Sequence, residues 1–554
     1  MRTRQLGFLL LAAFLFVGIL SLTPGIYFEG GSDVYSYHII KGDFTSTPVA
    51  YFSSFGFYAF VSSIIAKLYI FTIDIQWFDI LVYINLTLCV FLLLLLWRIK
   101  QFSPIIFILF SIPWLDNILL PELTKQGFWI AFLSLNIYSI TPKEQKTLRV
   151  AMIFLFAYSF MVRAEPVFLA LLCFSLFLIL SNTYKGWSEA LKFIKGLVPF
   201  ITIAIVFAFL FNIDFTNQDR EYRPFRPYQF TLWDFRQDPS TIRLTTKSDS
   251  AVLMASENHF ISDLPKINNT FFEEIGLHKK DKTISSIPDY IESPTFLIKK
   301  IVHLLYSASY YLLPLFAFCI IFLFVLTADP SISKFQKRGQ YLVFISYVCV
   351  LAFFCVFMKL ERHLVFPILM GGVLYLLITL PRESFRSNWQ IAILSSASLL
   401  LSVNVLKEYN FHRSNSKIAS ELSIDVNKRF PESLLYIDLY TMVSLHGRLF
   451  EKDIFPYQRT LSFDNGIISY YPEWIEKMKK FEQPTSMEAL AENFIHPSGK
   501  IIFIFSKGRE HLFEKYFDAV YNKKVIFEEI SSSFSGSKKY PYSYFHIPIK
   551  KYLP

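Results

Sequence analysis

Charged side chains are scarce in this chain. They make up 18% of its 554 residues, while hydrophobic residues make up 53%. Soluble domains carry about 25% charged residues, so roughly 40 charges are missing for a soluble chain of this length. The mean hydropathy is correspondingly high, at +0.40. This composition excludes a disordered chain and a single soluble globule, and it predicts a membrane protein with many spans and sizeable water-exposed parts.

Cysteine is also rare, and its placement excludes a disulfide scaffold. All five cysteines fall inside apolar segments, and none has the spacing of a metal-ligand motif. They are Cys89, Cys173, Cys319, Cys349 and Cys355. Buried cysteines of this kind behave as small core residues. The chain also has no internal repeat and no low-complexity tract.

Eleven apolar stretches are predicted to cross a membrane. Residues 1–22 form the first, and no small-x-small cleavage site follows them, so we expect this stretch to be retained rather than removed as a signal peptide. The other ten fall near 78–97, 103–119, 125–140, 149–162, 166–181, 196–213, 297–326, 340–358, 364–380 and 390–406. Residues 51–72 are aromatic and interrupted by polar residues, a pattern typical of an interfacial helix.

The net charge of +10 is explained by topology rather than by a nucleic-acid partner. Basic residues cluster beside the apolar stretches, at Arg98 and Lys100; Lys143, Lys146 and Arg149; Lys185, Lys192 and Lys195; Lys334, Lys337 and Arg338; and Arg382 and Arg386. If 51–72 lies on the outer surface, every cluster falls on the same side as Arg2 and Arg4. The positive-inside rule then predicts a cytoplasmic N-terminus and an outer C-terminus, in the plasma (inner) membrane of a bacterium.

This threading divides the chain into two predicted domains. Residues 1–406 form a transmembrane domain with outer loops 23–77 and 214–296, and residues 407–554 form a small α/β extracytoplasmic domain. The strand-like runs of the second domain are 433–440, 499–508 and 523–531, and its helical stretches lie near 474–494 and 508–521. The predicted fold class is therefore a mainly α, polytopic membrane protein with a small C-terminal α/β domain.

The first outer loop carries the leading candidate for a catalytic acid. Asp33 follows two glycines and has Tyr35, Tyr37 and His38 close by. An alternative is that Asp33 only caps the short helix that begins after it. Asp43 is a weaker candidate, which we expect to be a solvated turn residue.

Further charges lie at the predicted outer ends of spans. Asp116, Glu122 and Lys125 precede one span, and either a functional role or ordinary interfacial placement explains them. Arg163 and Glu165 interrupt an apolar stretch of some thirty residues, as a functional pair or as an internal ion pair for helix packing.

A similar group occupies the junction before the tenth span. Lys359, Glu361, Arg362 and His363 crowd this end, where Lys359 can extend to the interface. Arg362 directly precedes an apolar helix, and the planar guanidinium suits a phosphate because it can donate two hydrogen bonds at once. The loop 214–296 opens with arginines and aromatic rings that fit either a substrate cover or an interfacial aromatic belt.

Taken in order, these segments resemble the GT-C membrane glycosyltransferases, in particular the branch of the protein O-mannosyltransferases and the lipid A aminoarabinose transferases. The resemblance covers roughly residues 5–380. GGSDVYSYH, GFYAFVSSIIAKLY and FDILVYINLTLCVFLLLLLWRIK resemble the family's acid-bearing first outer loop, interfacial helix and second span. VRAEPVFLAL resembles its Lys-Gly-Pro stretch, with Arg163 in place of the Lys, and ERHLVFPIL resembles its Arg-Tyr-x-x-Pro stretch, with Arg362 matching the Arg.

The chain departs from the family pattern at three positions. Val34 stands where the family often has a second acid, His363 replaces the Tyr, and Pro367 comes one position late. The resemblance is therefore to the superfamily and not to one named subfamily.

The resemblance implies transfer of a sugar from a polyprenyl-phosphate donor to a glycan, lipid or protein acceptor at the outer membrane face. Asp33 would be the catalytic base, and Arg163, Arg362, Glu122, Tyr35 and His363 would bind substrate. The cofactor is left open, with a divalent metal ion as one candidate. No nucleic acid is expected as a partner.

Two other classes of protein remain open. A polymerase or ligase of surface polysaccharide would share the lipid-phosphate substrate. A membrane transporter would favour polar residues at mid-helix and internal repeats, whereas the charges here cluster at helix ends.

Overall fold

The computed structural model describes residues 3–29, 31–50, 59–101, 103–182, 195–210, 309–327, 334–357, 362–379, 388–438, 445, 447–451, 454–463, 472–485, 489, 501–506, 510–532 and 542–546. This part of the chain is mostly helical and has a few strands. The predicted outer loop 214–296 lies outside it, as do Lys359 and Glu361.

Fourteen helices precede the strands in the described part of the chain. They are α1 (Thr3–Leu22), α2 (Gly31–Lys41), α3 (Ala59–Phe71), α4 (Trp77–Lys100), α5 (Pro104–Trp114), α6 (Asp116–Leu119), α7 (Leu123–Ile140), α8 (Lys146–Val162), α9 (Ala164–Asn182), α10 (Lys195–Leu210), α11 (Ser309–Thr327), α12 (Lys334–Phe357), α13 (Arg362–Thr379) and α14 (Asn388–Arg429). Each predicted span overlaps at least one of these helices, and 103–119 covers both α5 and α6. Parts of 196–213, 297–326, 340–358 and 364–380 lie outside the described residues.

Four helices in the described part are long and apolar enough to cross a membrane: α1, α4, α13 and α14. Helix α1 exposes large apolar side chains, among them Phe8, Leu15 and Ile19, each at least half accessible. Contiguous apolar surface of this kind is rare on soluble proteins. The helices are therefore compatible with a membrane protein, and the number of spans stays a prediction.

Helix α7 forms the centre of the helical part. Every residue from Leu123 to Ile137 is buried, and α7 packs against α4, α8, α9 and α13. Gly371 on α13 allows close packing, since a Cβ there would lie 3.2 Å from the Phe128 ring. A buried polar chain links three of these helices, because Tyr158 donates to Asn85, which donates to Gln126. These bonds offset the cost of burying the Tyr158 hydroxyl and the Asn85 amide, whereas the Gln126 amide nitrogen has no hydrogen-bond partner among the described residues.

A five-stranded sheet follows α14. Its strands are β1 (Leu434–Asp438), β2 (Thr460–Phe463), β3 (Ile501–Ser506), β4 (Glu528–Ser532) and β5 (Tyr542–His546), with α15 (Pro472–Lys480) and α16 (Glu510–Tyr521) between them. The order is β2-β1-β3-β5-β4; β1 runs parallel to β2 and β3, and β5 is antiparallel to β3 and β4. Strands β1 and β3 lie inside predicted runs, β4 overlaps the end of one, and β2 and β5 were not predicted. The predicted boundary at 406/407 falls inside the single 42-residue helix α14.

The segment 447–451 joins this C-terminal part to the chain that follows α1. The backbone N–H of Phe28 donates to the carbonyl of Gly447 at 3.0 Å, and Leu449 N–H donates to Ile26 O at 2.9 Å. A third bond runs from the Phe450 N–H to the Asp79 carboxylate at the start of α4, at 2.7 Å. These bonds hold the C-terminal part at the end of the helical bundle where α1 ends and α4 begins.

Candidate functional site

A cluster of charged side chains lies at this same end of the bundle. Its members come from four separate stretches of the sequence and are Glu29, Asp33, Asp116, Glu122, Lys125, Arg163, Arg362 and His363. We call this set the ion cluster. Each member stands at or near a helix end, where the chain turns and leaves backbone groups without helical partners.

Asp33 joins two of these helix ends. It lies in the first turn of α2, is 2% exposed, and its Oδ2 accepts the backbone N–H of Leu123 at 2.6 Å. Leu123 is the first residue of α7, and the residue before it, Glu122, makes no side-chain cap. A carboxylate at this position satisfies a free N–H and interacts favourably with the helix dipole. Asp33 therefore caps α7, and its Oδ1 is turned toward Arg163.

Arg163 is held between carboxylates without direct hydrogen bonds. It is an extended residue between α8 and α9. Its Nη1 lies 3.9 Å from both Asp33 Oδ1 and Glu122 Oε1, and its Nε lies 3.9 Å from Glu165 Oε2. These distances are too long for hydrogen bonds, and within the described residues the guanidinium makes none. The Arg163–Glu165 pair predicted from the sequence is thus loose.

Gly127 fixes the position of Arg163 relative to α7. A Cβ at Gly127 would lie 3.1 Å from the Arg163 carbonyl oxygen and 3.3 Å from Pro166 Cγ. Both contacts are tighter than ordinary van der Waals packing. Glycine therefore lets the junction of α8 and α9 approach the first turns of α7, and this approach brings Arg163 next to Asp33.

Glu122 connects Arg163 with His363. Its carboxylate is 1% exposed, and Oε2 lies 3.2 Å from His363 Nδ1 on α13. Thr124 donates to Oε1 at 3.4 Å. Burial raises the pKa of Glu122, and the charge of Glu29 raises it further, against the opposite influence of His363 and Arg163.

Asp33 has the properties of a base that works near neutral pH. Burial raises its pKa to about 7, and the negative charge of Glu122 acts in the same direction. Arg163 and the Leu123 N–H lower the pKa but do not outweigh these effects. A carboxyl group whose pKa lies near the working pH is suited to proton transfer.

The other half of the ion cluster is tightly paired. Lys125 is fully buried and pairs with Glu29 and with Asp116, the latter at 2.7 Å, while also donating to the Leu120 carbonyl at 3.1 Å. Arg362 pairs with Asp116, with Glu29 at 3.2 Å and with Glu408 of α14 at 3.7 Å. Burial alone would raise the pKa of Glu29, but Lys125 and Arg362 outweigh it and lower the pKa to about 2. These cations are neutralised by protein carboxylates.

The structure brings most of the predicted site residues together. Asp33, Glu122, Arg163, Arg362 and His363 all belong to the ion cluster. Tyr35 is buried on α2, two positions from Asp33. Side chains two positions apart on a helix face different directions, so Tyr35 lies on a different face of α2 from Asp33.

Two carboxylates that pair with the cations of the ion cluster, Glu29 and Glu408, were not predicted from the sequence. One expectation, about Asp43, is wrong. Glu29 lies four residues before Asp33 in the same Gly-rich segment, and this second acid is the signal that was available for it. Glu408 lies in the middle of a long helix and gave no signal. The expectation that Asp43 is solvated is wrong, because Asp43 is 8% exposed and its Oδ2 lies 2.8 Å from His38 Nδ1. Helix α15 covers it.

Helix α15 closes over the loop that follows α2. Lys477 Nζ donates to the carbonyl of Asp43 at 2.7 Å and to that of Tyr457 at 2.8 Å. Ser46 N–H donates to Glu473 O at 2.9 Å, and its hydroxyl donates to Glu476 at 3.0 Å. We call this set of contacts the C-terminal clasp. It links the sheet-containing part to the helix that carries Asp33.

Within the described part of the chain, most carboxylates of the ion cluster are engaged by other protein groups. No group of three His, Cys, Asp or Glu side chains among the described residues is placed to hold one. Of the cluster carboxylates, Glu29 and Asp116 are paired with Lys125 and Arg362, and Asp33 accepts a backbone N–H. We therefore assign no step to a metal.

Comparison of the chain with protein-family models, with curated proteins and with solved structures finds no match.

Proposed function

We propose that this protein is a membrane glycosyltransferase that moves a sugar from a polyprenyl-phosphate donor to an acceptor at the outer membrane face. The observation that carries the proposal is that Asp33, a buried acid with a pKa of about 7, lies beside Arg163. The Arg163 guanidinium is 3.9 Å from the Asp33 carboxylate and donates no hydrogen bond to a described residue. Asp33 can take a proton next to the place where Arg163 binds an anion.

Arg163 is the proposed phosphate ligand. Its fork geometry matches two phosphate oxygens, and within the described residues its guanidinium makes no hydrogen bond that would have to be broken. Arg362 is engaged by Glu29, Asp116 and Glu408. We therefore assign Arg362 a positioning role together with Lys125, in place of the direct phosphate contact expected from the sequence.

Asp33 is the proposed base. Its Oδ2 is held by the Leu123 N–H, which leaves Oδ1 to accept the proton of the acceptor hydroxyl or amine. The acceptor atom forms a bond to the anomeric carbon while the bond from that carbon to the phosphate oxygen breaks. The electron pair leaves with polyprenyl phosphate, whose charge Arg163 stabilises. A single displacement of this kind inverts the anomeric centre.

Glu122 and His363 flank this reaction centre. The negative charge of Glu122 raises the pKa of Asp33. His363, which is 23% exposed, lies beside the Glu122 carboxylate oxygen that does not face Arg163. We propose that this pair contacts the sugar, whose hydroxyls can donate to a carboxylate and accept from an imidazole.

The proposed topology has eleven spans, a cytoplasmic N-terminus and an outer C-terminal domain. Three observations support it. The ion cluster lies at one end of the bundle, where α1 ends. The segment 447–451 is bonded to the same end. The basic clusters flank the other ends of the helices.

A donor-turnover assay tests the proposed function. The full-length protein in lipid nanodiscs is incubated with a panel of short-chain polyprenyl-phosphate hexoses and pentoses, and release of polyprenyl phosphate is measured. Mass spectrometry of surface glycans, glycolipids and glycoproteins from a deletion strain identifies the acceptor. Transfer of one sugar supports the proposal. Loss of whole oligosaccharide units in the deletion strain, without turnover of any single-sugar donor, assigns a polymerase or ligase instead. No turnover together with unchanged glycans contradicts the proposal.

A further inference from the structure

A polar cavity lies where α1 ends, between α14 and the segment 447–451. Its volume is about 420 Å³, within the range of about 300–1,000 Å³ that is usual for ligand pockets. The residues that line it are Tyr27, Asn410, Arg413, Ser414, Ser416, Lys417, Ser420, Arg448 and Glu451. None of them belongs to the ion cluster, so this cavity is a separate site.

The lining selects for an anion. It contains three cations, Arg413, Lys417 and Arg448, against the single carboxylate of Glu451. That carboxylate already accepts the Ser416 hydroxyl at 2.9 Å. Three serines and an asparagine supply further hydrogen-bonding groups, and among the described residues no aliphatic side chain lines the cavity. An apolar ligand would leave these groups unpaired, at a cost in binding, whereas a phosphate group can pair with the cations.

The walls of the cavity are held in place. Arg448 donates to the carbonyls of Leu22 at 3.0 Å and Ser21 at 3.4 Å, in the last turn of α1. A Cβ at Gly447 would lie 2.6 Å from Ser416 Cβ, so the segment 447–451 packs directly on α14. Because Arg448 is held in position before binding, less entropy is lost at this side chain when the ligand arrives.

The position of the cavity indicates the source of the phosphate. Helix α1 is one of the four helices long and apolar enough to cross a membrane, and its candidate span ends at Leu22. Arg448 contacts the carbonyl of that last residue. The cavity therefore lies at the level where the apolar helix surface stops, which in a bilayer is the level of the lipid headgroups.

We propose that this cavity binds the phosphate ester of an anionic lipid headgroup. The guanidinium groups of Arg413 and Arg448 and the ammonium of Lys417 hold the phosphate, and the serine hydroxyls and Asn410 contact the remainder of the headgroup. The proposal does not depend on sugar transfer, because it uses none of the residues assigned to that reaction.

Binding of a short-chain lipid tests the proposal. The full-length protein in a non-ionic detergent is titrated with dihexanoyl phosphatidylglycerol, and binding is followed by microscale thermophoresis. The test variant combines Arg413→Gln with Lys417→Gln, since both side chains are exposed and their replacement should not disturb the fold. The matched control combines Lys407→Gln with Lys428→Gln, two exposed lysines of the same helix outside the cavity.

We expect the test variant to bind phosphatidylglycerol at least tenfold more weakly, while the control variant binds like the unmodified protein. Competition with inorganic phosphate then distinguishes a site for any phosphate group from a site that requires the lipid headgroup. Displacement at low millimolar phosphate shows that the phosphate group suffices, and no displacement shows that the esterified headgroup is required. Equal binding by the two variants, an equal loss in both, or no binding by the unmodified protein overturns the proposal. The melting temperatures of both variants, measured without lipid, serve as the check on folding.

Discussion

Arg163 and Arg362 illustrate how two arginines of one cluster can have different roles. Arg362 is 9% exposed and contacts three carboxylates, whereas Arg163 lies 3.9 Å from its partners without a hydrogen bond to any described residue. Loss of a buried, paired charge leaves its partner uncompensated and costs stability. Loss of an arginine without such bonds costs the protein little stability but would remove the proposed contact with the donor phosphate.

We therefore expect opposite effects from two alanine substitutions. Arg362→Ala should destabilise the fold by about 3–5 kcal/mol, because the buried carboxylates of Asp116 and Glu29 would lose one of the two cations that neutralise them. Arg163→Ala should leave the melting temperature nearly unchanged but lower kcat/KM for the donor by about 10–100-fold, the value of charge-assisted hydrogen bonds to phosphate. Thermal unfolding in detergent and donor turnover separate the two effects.

Arg163→Lys refines this comparison. It keeps the charge but loses the planar fork, so its activity should lie between those of the unmodified protein and Arg163→Ala. Arg98→Lys, at an exposed position at the end of α4, is the control and should retain full activity. Full donor turnover by Arg163→Ala would show that Arg163 is only an interfacial anchor.

The pKa of Asp33 predicts how activity depends on pH. Because burial raises this pKa to about 7, and because only the carboxylate accepts a proton, kcat/KM should rise with pH through about 7 and then level. Glu122→Gln removes a negative charge that raises the pKa of Asp33, so the inflection should move to lower pH. A pH–rate profile of the two proteins checks both expectations. A flat profile between about pH 5.5 and about pH 8 would exclude Asp33 as the titrating base.

At the scale of the helix and strand, the C-terminal clasp connects the sheet-containing part with α2. Lys477 is 4% exposed and donates to two backbone carbonyls, those of Asp43 and Tyr457. Burial lowers the pKa of Lys477 to about 7, while Asp43 opposes this effect. Lys477 is thus the buried side chain through which α15 holds both the loop after α2 and the turn before β2.

Lys477→Met keeps the length of the side chain but removes both hydrogen bonds. We expect it to destabilise the contact by about 1–3 kcal/mol, the cost of leaving buried carbonyls unpaired. Hydrogen exchange of residues 31–50 should speed up, because α2 and its following loop lose their cover. Lys479→Met, exposed on the same helix, is the control. Unchanged exchange of residues 31–50 in Lys477→Met would show that α15 does not hold α2.

The helices could be predicted far better than the strands or the pairing of charges. Long apolar runs such as those of α1 and α4 predict helices directly. Strand β2 has only four residues and follows a short 3-10 turn, so it shows too little alternation to be recognised. The pairing of Arg362 with Glu29 joins residues 333 positions apart, and it depends on how α13 packs on α7, which no local pattern encodes.

At the scale of the whole molecule, the ion cluster and the C-terminal part lie at the same end of the helical bundle. This arrangement requires both to be on one side of the membrane. Reporters fused within 23–77 and beyond 407 should therefore report the outer compartment. Fusions near 143, 188, 335 and 384 should report the cytoplasm, because the basic clusters lie there. A cytoplasmic C-terminus would contradict the topology and the location of the proposed site.

The central claim is that Asp33 is the base of a sugar-transfer reaction, and one substitution tests it most directly. Asn at position 33 can still accept the Leu123 N–H through its amide oxygen, so the cap of α7 and the fold should persist. It cannot take up the acceptor's proton. The measurement is donor turnover by Asp33→Asn beside the unmodified protein and Asp43→Asn, with melting temperatures as the check on folding. We expect Asp33→Asn to lose about 10²–10⁴-fold in kcat, while Asp43→Asn keeps most of its activity. Near-normal turnover by a well-folded Asp33→Asn protein would contradict the claim.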